Sequence, residues 1–128
     1  MKFQLIQNQI ERLIIEPIAD DSKKNNSFSF SHLCKFNEQK SKEFVISFNF
    51  SLTSGHNFKV DFVHNFHFEC DEDITEDFLK SHYTSVNAPA IAYPYVRAFV
   101  ATLLLNAGLE SVLLPAINFV EHAKAQQK

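Results

Sequence analysis

Three residues of metal-binding types, His64, His67 and Cys70, follow one another at three-residue spacing in the second half of the chain. Imidazole nitrogen and thiolate sulfur are ligands that zinc prefers. On a β-strand, however, His64 and Cys70 point to one face and His67 points to the other. The surrounding residues alternate as a strand does, so the spacing argues against a metal site, and we expect no metal and no cofactor.

His32 and Cys34 are the residues that most resemble a general base beside a nucleophile. A catalytic pair of this kind also needs a third group that orients the base, and the sequence identifies none. We therefore expect a buried structural thiol. The two glycines, Gly55 and Gly108, are too far apart to form a phosphate-binding loop. The sequence predicts a protein that is not an enzyme.

The run 69–77 carries six carboxylates in nine residues. Acidic side chains in the first turn of a helix interact favourably with the helix dipole, and Thr75 is of a type that caps such a helix. We interpret the run as the solvated start of a helix. A metal site built from oxygen ligands is the alternative.

Phenylalanines at alternate positions predict the elements that carry these residues. The chain has 14 phenylalanines, and three groups keep to even positions: Phe28, Phe30 and Phe36; Phe44, Phe48 and Phe50; Phe58, Phe62, Phe66 and Phe68. Alternation places each group on one face of a sheet. We predict four antiparallel strands, at 2–16, 27–37, 44–54 and 58–70, with a bulge near 7–9 and a hairpin turn at Gly55.

A long helix is predicted at 94–106, with Pro94 in its first turn and Gly108 at its C-terminal cap. It is apolar nearly all round, so one side can cover the sheet and another needs a different partner. We expect a subunit interface there, with Phe99, Leu103 and Leu104 as candidates. A short last helix should begin after Asn118 as N-cap.

Composition is consistent with a single domain, 1–128, of the α+β class. Hydrophobic residues make up 45% and the net charge is −3, which excludes disorder and gives no basic surface for nucleic acid. Two cysteines and no signal peptide indicate a cytoplasmic protein. The uncharged stretch 98–109 is too short to span a bilayer. The predicted fold is a four-stranded antiparallel sheet with a long helix and shorter helices on one face.

A Phe-rich face that one layer of helix does not fully cover is a candidate surface for apolar partners. Tyr93 and Phe119 lie on connections, where aromatic side chains are freer to remain exposed. Phe36 and Phe44 complete the set of candidate binding residues. The alternative for Tyr93 and Phe119 is that they fasten the helix ends to the core.

The C-terminal part resembles the SecB-type protein-export chaperones. The resemblance rests on Tyr93-Pro94-Tyr95-Val96-Arg97, on Gly108, and on Leu114-Pro115-Ala116-Ile117-Asn118-Phe119. It implies an α+β protomer that assembles as a dimer of dimers. It also implies an ATP-independent holdase that keeps unfolded secretory precursors in apolar grooves, and many family members deliver these to the SecA motor.

The resemblance also implies a docking surface for SecA, at positions corresponding to Glu11, Glu16 and Asp61. Lys59 lies on the same face and would repel a basic partner. Some SecB-like proteins instead protect an antitoxin, which is the first alternative. The second is a small-ligand-binding or enzymatic α+β domain in which the sheet encloses a Phe-lined pocket.

Overall fold

Four β-strands form one antiparallel sheet in the computed structural model, which describes residues 2–19 and 25–126. The strands are β1 (Phe3–Pro17), β2 (Ser27–Phe36), β3 (Glu43–Ser54) and β4 (Phe58–Cys70). Their order in the sheet is β1-β4-β3-β2. The predicted α+β class is confirmed, and each predicted strand agrees with the observed one to within one residue at either end.

Even-numbered residues of β3 pair with even-numbered residues of both β2 and β4. Their side chains therefore share one face of the sheet, which is the face that the helices cover. Those of β3 and β4 form the core, and the largest fully buried side chains include Phe44, Phe48, Phe62, Phe66 and Phe68. Full burial of one such side chain contributes roughly 1.5–3 kcal/mol. The Phe alternation therefore specifies which face of the sheet the helices cover.

Two irregularities interrupt β1, where the sequence predicted one near 7–9. The pairing with β4 shifts between Leu5 and Gln7 and again between Ile10 and Arg12. Each shift leaves one residue of β1 without a partner on β4, as in a β-bulge. Before the first shift and after the second, odd-numbered residues of β1 pair with even-numbered residues of β4. Leu13 and Ile15 therefore pair with Phe62 and Val60 and lie on the same face of the sheet.

Gly55 was predicted to mark the turn between β3 and β4, and the turn is there. The backbone conformation that usually requires glycine, however, falls on Asn57, at φ 68°. Asparagine adopts this left-handed region more readily than most residues. Gly55 instead donates its backbone N–H to the side chain of Asn26, at 2.9 Å.

The helical part begins with α1 (Glu76–Leu79), followed by a π-helical segment (Tyr83–Asn87) that continues into α2 (Ala88–Asn106). Thr75 caps α1 as predicted, since its Oγ1 accepts from Phe78 N at 3.1 Å. The predicted start of the long helix at Pro94 is wrong. Pro89 lies in the first turn and Pro94 is inside the helix, where its ring prevents one backbone hydrogen bond.

The end of α2 and the start of α3 (Phe119–Gln126) agree with the prediction. Gly108 has φ 72° just past α2, the conformation of a glycine that ends a helix. Asn118 caps α3, since its Oδ1 accepts from Val120 N at 3.0 Å and from Glu121 N at 3.2 Å. The intervening residues, 109–118, cross back over the helix side without regular structure.

The helix from Tyr83 to Asn106 is long and apolar enough, by length and composition alone, to cross a membrane. The core helix of a globular domain passes the same test. Here Val96, Val100 and Leu104 are fully buried in the core. The helix therefore has one side occupied by its own chain.

Candidate functional site

The long helix covers the middle of the sheet and leaves both edges partly uncovered. Phe99 of α2 packs edge-on against Phe62 of β4, with ring centroids 5.1 Å apart. On the other flank, Tyr93 lies against Phe30 of β2 at 5.9 Å. The edge strands β1 and β2 therefore each carry side chains that α2 only borders.

The first partly covered surface follows β2, and we call it the β2 strip. It consists of the even-numbered side chains Phe28, Phe30, His32, Cys34 and Phe36, all of them half-buried. They alternate with exposed residues on the other face, so the row is continuous along the strand. The β2 strip is a mostly aromatic row next to an open sheet edge.

The two edges of the sheet differ in regularity. β2 pairs with β3 from Ser27 to Phe36 without a register shift, whereas β1 is interrupted twice. Bulges disturb the pattern of free N–H and C=O groups that another strand would need. Because the edge at β2 is regular over its whole length, it is the better template for an added extended segment.

The second uncovered surface, which we call the β1 strip, lies between β1 and α2. It combines Leu13 (41% exposed) and Ile15 (37%) of β1 with Tyr95 (48%) of α2. Phe99 and Leu103 follow Tyr95 at four-residue intervals on the same helix face and are half-buried. The sequence alone did not identify Leu13 or Ile15, because the two bulges hide the alternation of β1. Tyr95 was not identified as exposed, because α2 is apolar nearly all round and its sequence does not show which side is uncovered.

Of the four candidate binding residues, the structure leaves only Phe36 partly accessible. Phe44 is 1% exposed, and Tyr93 and Phe119 are each 4% exposed. Tyr93 Oη donates to the carbonyl of Pro115 at 2.8 Å, and Phe119 packs against Tyr93 at 5.7 Å. Tyr93 and Phe119 therefore fasten the helices to the sheet, which was the alternative interpretation.

Among the three residues predicted to lie at a subunit interface, Leu104 is wrong, because it is not exposed. It is fully buried in the core of its own chain, because its position in the turn of the helix faces the sheet. Phe99 and Leu103 border the β1 strip. The exposed large hydrophobic residues of α2 are Ile91, Tyr95 and Leu105.

The outer face of the sheet carries the acidic candidates, each engaged with a polar neighbour. Glu16 forms an ion pair with Lys59 at 2.9 Å, and Glu16 raises the pKa of Lys59 through their hydrogen bond and then through its charge. Asp61 is half-buried and accepts from Ser51. Glu11 accepts from Asn65 Nδ2 at 3.3 Å.

A polar depression of about 350 Å³ lies on the same face. Arg12, Ser31, Asn49 and Asp61 are among its lining residues. The outer face is thus rich in charged and hydrogen-bonding groups, although Leu33 of β2 is 47% exposed on it.

The groups that might do covalent chemistry are unsuited to it. Burial, followed by the influence of Cys70, raises the pKa of the Cys34 thiol to about 11, so the thiol stays protonated at neutral pH. A nucleophilic cysteine needs its thiolate. Within residues 2–19 and 25–126, no three His, Cys, Asp or Glu side chains are grouped as a metal site requires.

Two carboxylates of the acidic run form hydrogen bonds that organise the chain around α1. Asp71 Oδ1 accepts from the backbone N–H of Lys2 at 3.0 Å, and Asp73 Oδ1 accepts from Ser41 Oγ at 2.8 Å. Glu76 and Asp77 lie in the first turn of α1, where they complement the helix dipole. Glu76 and Asp77 thus fit the predicted helix start, whereas Asp71 and Asp73 form hydrogen bonds to distant segments.

Taken together, the structure is a helix-covered antiparallel sheet that leaves partly accessible apolar side chains along both edge strands. Residues 23–128 match the family model of SecB, the preprotein translocase subunit SecB. The chain belongs to the SecB family, which confirms the predicted resemblance.

Solved structures share the fold. A SecB-like chaperone of Mycobacterium tuberculosis, in complex with a ChAD peptide from the HigA1 antitoxin, superposes with a TM-score of 0.72 at 19% identity, over 90% of this chain and 87% of that one. A Streptococcus agalactiae protein of unknown function gives a TM-score of 0.59 at 13% identity, over 90% and 98%.

One relative matches a short segment only. An uncharacterized protein of Methanocaldococcus jannaschii is 44% identical over 36 residues, which are 28% of this chain. The match spans 23% of that relative's length.

Proposed function

We propose that this protein is an ATP-independent holdase that keeps unfolded polypeptides from aggregating. Membership of the SecB family supports the proposal, and the observation that carries it is the half-buried row of the β2 strip beside a regular, open strand edge. Many weak apolar contacts suit clients of unrelated sequence. We further propose that it works in the cytoplasm.

An unfolded client would bind the β2 strip in an extended conformation. Its main chain would pair with the free edge of β2, and every second side chain would lie over those parts of the row from Phe28 to Phe36 that α3 leaves accessible. Such pairing is independent of client sequence, whereas the aromatic row favours apolar side chains. The mechanism needs no nucleotide, because release follows when the client folds or is transferred.

The proposal is tested by following aggregation of a chemically unfolded protein, diluted into buffer, by light scattering. We expect suppression at near-stoichiometric amounts of this chain without nucleotide. No suppression, together with a defined small ligand that copurifies with the chain at a fixed ratio, would instead support the small-ligand-binding alternative.

Replacing Phe36 with alanine should weaken client binding more than folding. Phe36 is half-buried at the end of the β2 strip, so its loss removes accessible aromatic surface and little core. We expect the Kd for an unfolded polypeptide to rise about fivefold or more, since truncation of an interface residue costs about 1 kcal/mol or more at important positions. Lys35→Ala, on the opposite face, is the matched control and should leave the Kd unchanged.

Two client classes are compatible with the family: secretory precursors and an antitoxin. The similar M. tuberculosis structure contains an antitoxin peptide, which favours keeping the antitoxin as a second candidate. Both are extended chains without their own core, so the β2 strip would hold them in the same way.

Delivery to SecA is proposed only as a weak, salt-sensitive interaction. The Glu16–Lys59 ion pair offsets the charge of one acidic candidate, and Asp61 is already hydrogen-bonded. Exposed charges interact over about 8–10 Å at physiological salt. We expect Asp61→Lys to abolish SecA binding and Lys59→Leu to strengthen it several-fold in a titration at low salt. If neither changes the affinity, the outer face is a solvated sheet surface.

Assembly into a homo-oligomer, with a dimer of dimers as the family arrangement, is proposed through the β1 strip. Apolar surface on both a helix and the adjacent strand can be buried reciprocally across a twofold axis. Phe99 and Leu103 would contribute to this interface together with Tyr95. The β2 strip would then remain available to clients.

A further inference from the structure

Two histidines form part of the contact that holds α3 against the sheet. The ring of His122 on α3 stacks on Phe30 of β2, with centroids 4.8 Å apart, and on His32 at 5.4 Å. Phe119, also on α3, lies against His32 at 6.1 Å. Because His32 and Phe30 belong to the β2 strip, α3 covers the middle of that strip through these rings.

The buried nitrogens of the two imidazoles have no anionic partner among residues 2–19 and 25–126. Nε2 of His32 and Nδ1 of His122 are buried and have no hydrogen-bond partner among the described residues. A charged ring would therefore be desolvated without compensation, which proteins avoid. Protonation of both rings would also place two like charges in stacking contact.

The titratable groups on the neighbouring elements do not alter this environment. From β2, Cys34 is neutral because burial and the influence of Cys70 raise its pKa to about 11. From α2, Tyr93 is neutral because burial raises its pKa, although Arg97 in the next turn lowers it in part. β3 contributes the apolar Phe48, and the π-helical segment carries no carboxylate. On α3, Glu121 and Lys124 have opposite charges and are both exposed.

We propose that the His32–His122 pair is an acid-sensitive latch: protonation of these rings releases α3 from β2 and uncovers the middle of the β2 strip. Release of α3 alone costs less than unfolding the domain, because α3 has only eight residues. Its removal would expose Phe30 and Phe48, with which its aromatic side chains are in contact.

The direction of the pH dependence follows from the folded-state pKa values. Burial, and then the charge of His122, lower the pKa of His32 from 6.5 to about 4, and burial lowers the pKa of His122. The docked state thus prefers neutral rings. Docking is fully stabilised above about pH 6.5 and loses stability as the pH falls from there towards 4.

Nuclear magnetic resonance on the full chain between pH 7.5 and 4.5 tests the latch without any client. At pH 5 we expect the amide protection of α3, corrected for the intrinsic exchange rate, to fall at least tenfold, while the amides of β3 and β4 stay protected. His122→Phe and, independently, His32→Phe should retain protection of α3 at pH 5, since an aromatic ring remains without a charge. His82→Phe, at an exposed histidine, is the control and should behave as the parent.

The proposal is overturned if α3 stays protected down to pH 4.5 in the parent, or if the loss of protection persists in both single variants. If α3 is already unprotected at pH 7.5 in the His122→Phe variant, the protection of α3 in the His32→Phe variant at pH 5 decides whether the latch exists. Tighter client binding at pH 5 is a separate expectation that rests on the proposed function. If α3 loses its protection at pH 5 but client binding does not become tighter, the proposed function is contradicted and the latch is supported.

Discussion

Replacing Phe44 with alanine is expected to lower the free energy of unfolding by about 3–5 kcal/mol, the usual cost of deleting a buried phenylalanine. Phe44 is 1% exposed and stacks on Phe68 at 5.1 Å. Phe3 and Phe78 pack edge-on against it at 5.7 and 5.5 Å. The vacated space cannot close easily, since rigid rings surround it on several sides. Urea denaturation followed by circular dichroism measures the loss.

Phe36 provides the matched control, because it pairs directly with Phe44 across β2 and β3. The two residues have the same side chain and lie on the same face, but Phe36 is half-buried. Phe36→Ala should therefore cost clearly less stability than Phe44→Ala. Equal losses for the two variants would mean that the edge at β2 is as fully covered as the centre of the sheet.

Introducing a carboxylate at Tyr95 is expected to separate the subunits that meet at the β1 strip. Tyr95 is 48% exposed in the single chain, so the protomer itself should tolerate the change. At a twofold interface each subunit would bury one unpaired charge, and the desolvation penalty is several kcal/mol per ion. We expect Tyr95→Glu to weaken subunit association at least a hundredfold, as measured by light scattering at micromolar concentration.

Thr53→Glu is the control for this experiment, because Thr53 is an exposed residue of β3 on the outer face. It adds the same charge away from the β1 strip and should leave the assembly intact. If the parent protein is already a stable monomer at micromolar concentration, or if both variants dissociate alike, the β1 strip is not the subunit interface.

The strands were predictable because burial acts on a period of two, and the phenylalanines of β3 and β4 report that period directly. The start of α2 was not. Pro94 is typical of a first helical turn, and only the preceding π-helical segment and Pro89 show that the helix starts earlier. Proline usually interrupts a helix, so its place inside α2 depends on tertiary packing and not on the local sequence.

Side-chain accessibility was harder to predict than the fold. Tyr93 and Phe119 lie at connections by sequence, yet both are buried, because residues 109–118 fold back and bring Pro115 to Tyr93. The contact between His32 and His122 joins positions 90 residues apart in the numbering, which no local pattern reveals. The position of Leu13 and Ile15 on the helix side was not predictable, because each of the two bulges shifts the pairing of β1 with β4 by one residue.

The central claim is that this chain binds polypeptides because they are unfolded. The most direct measurement is a fluorescence anisotropy titration with one labelled protein in two forms, native and permanently unfolded by reduction and carboxymethylation, in the absence of nucleotide. We expect saturable binding of the unfolded form with a micromolar or lower Kd, and no binding of the native form. Equal affinity for both forms, or no binding of either, would contradict it.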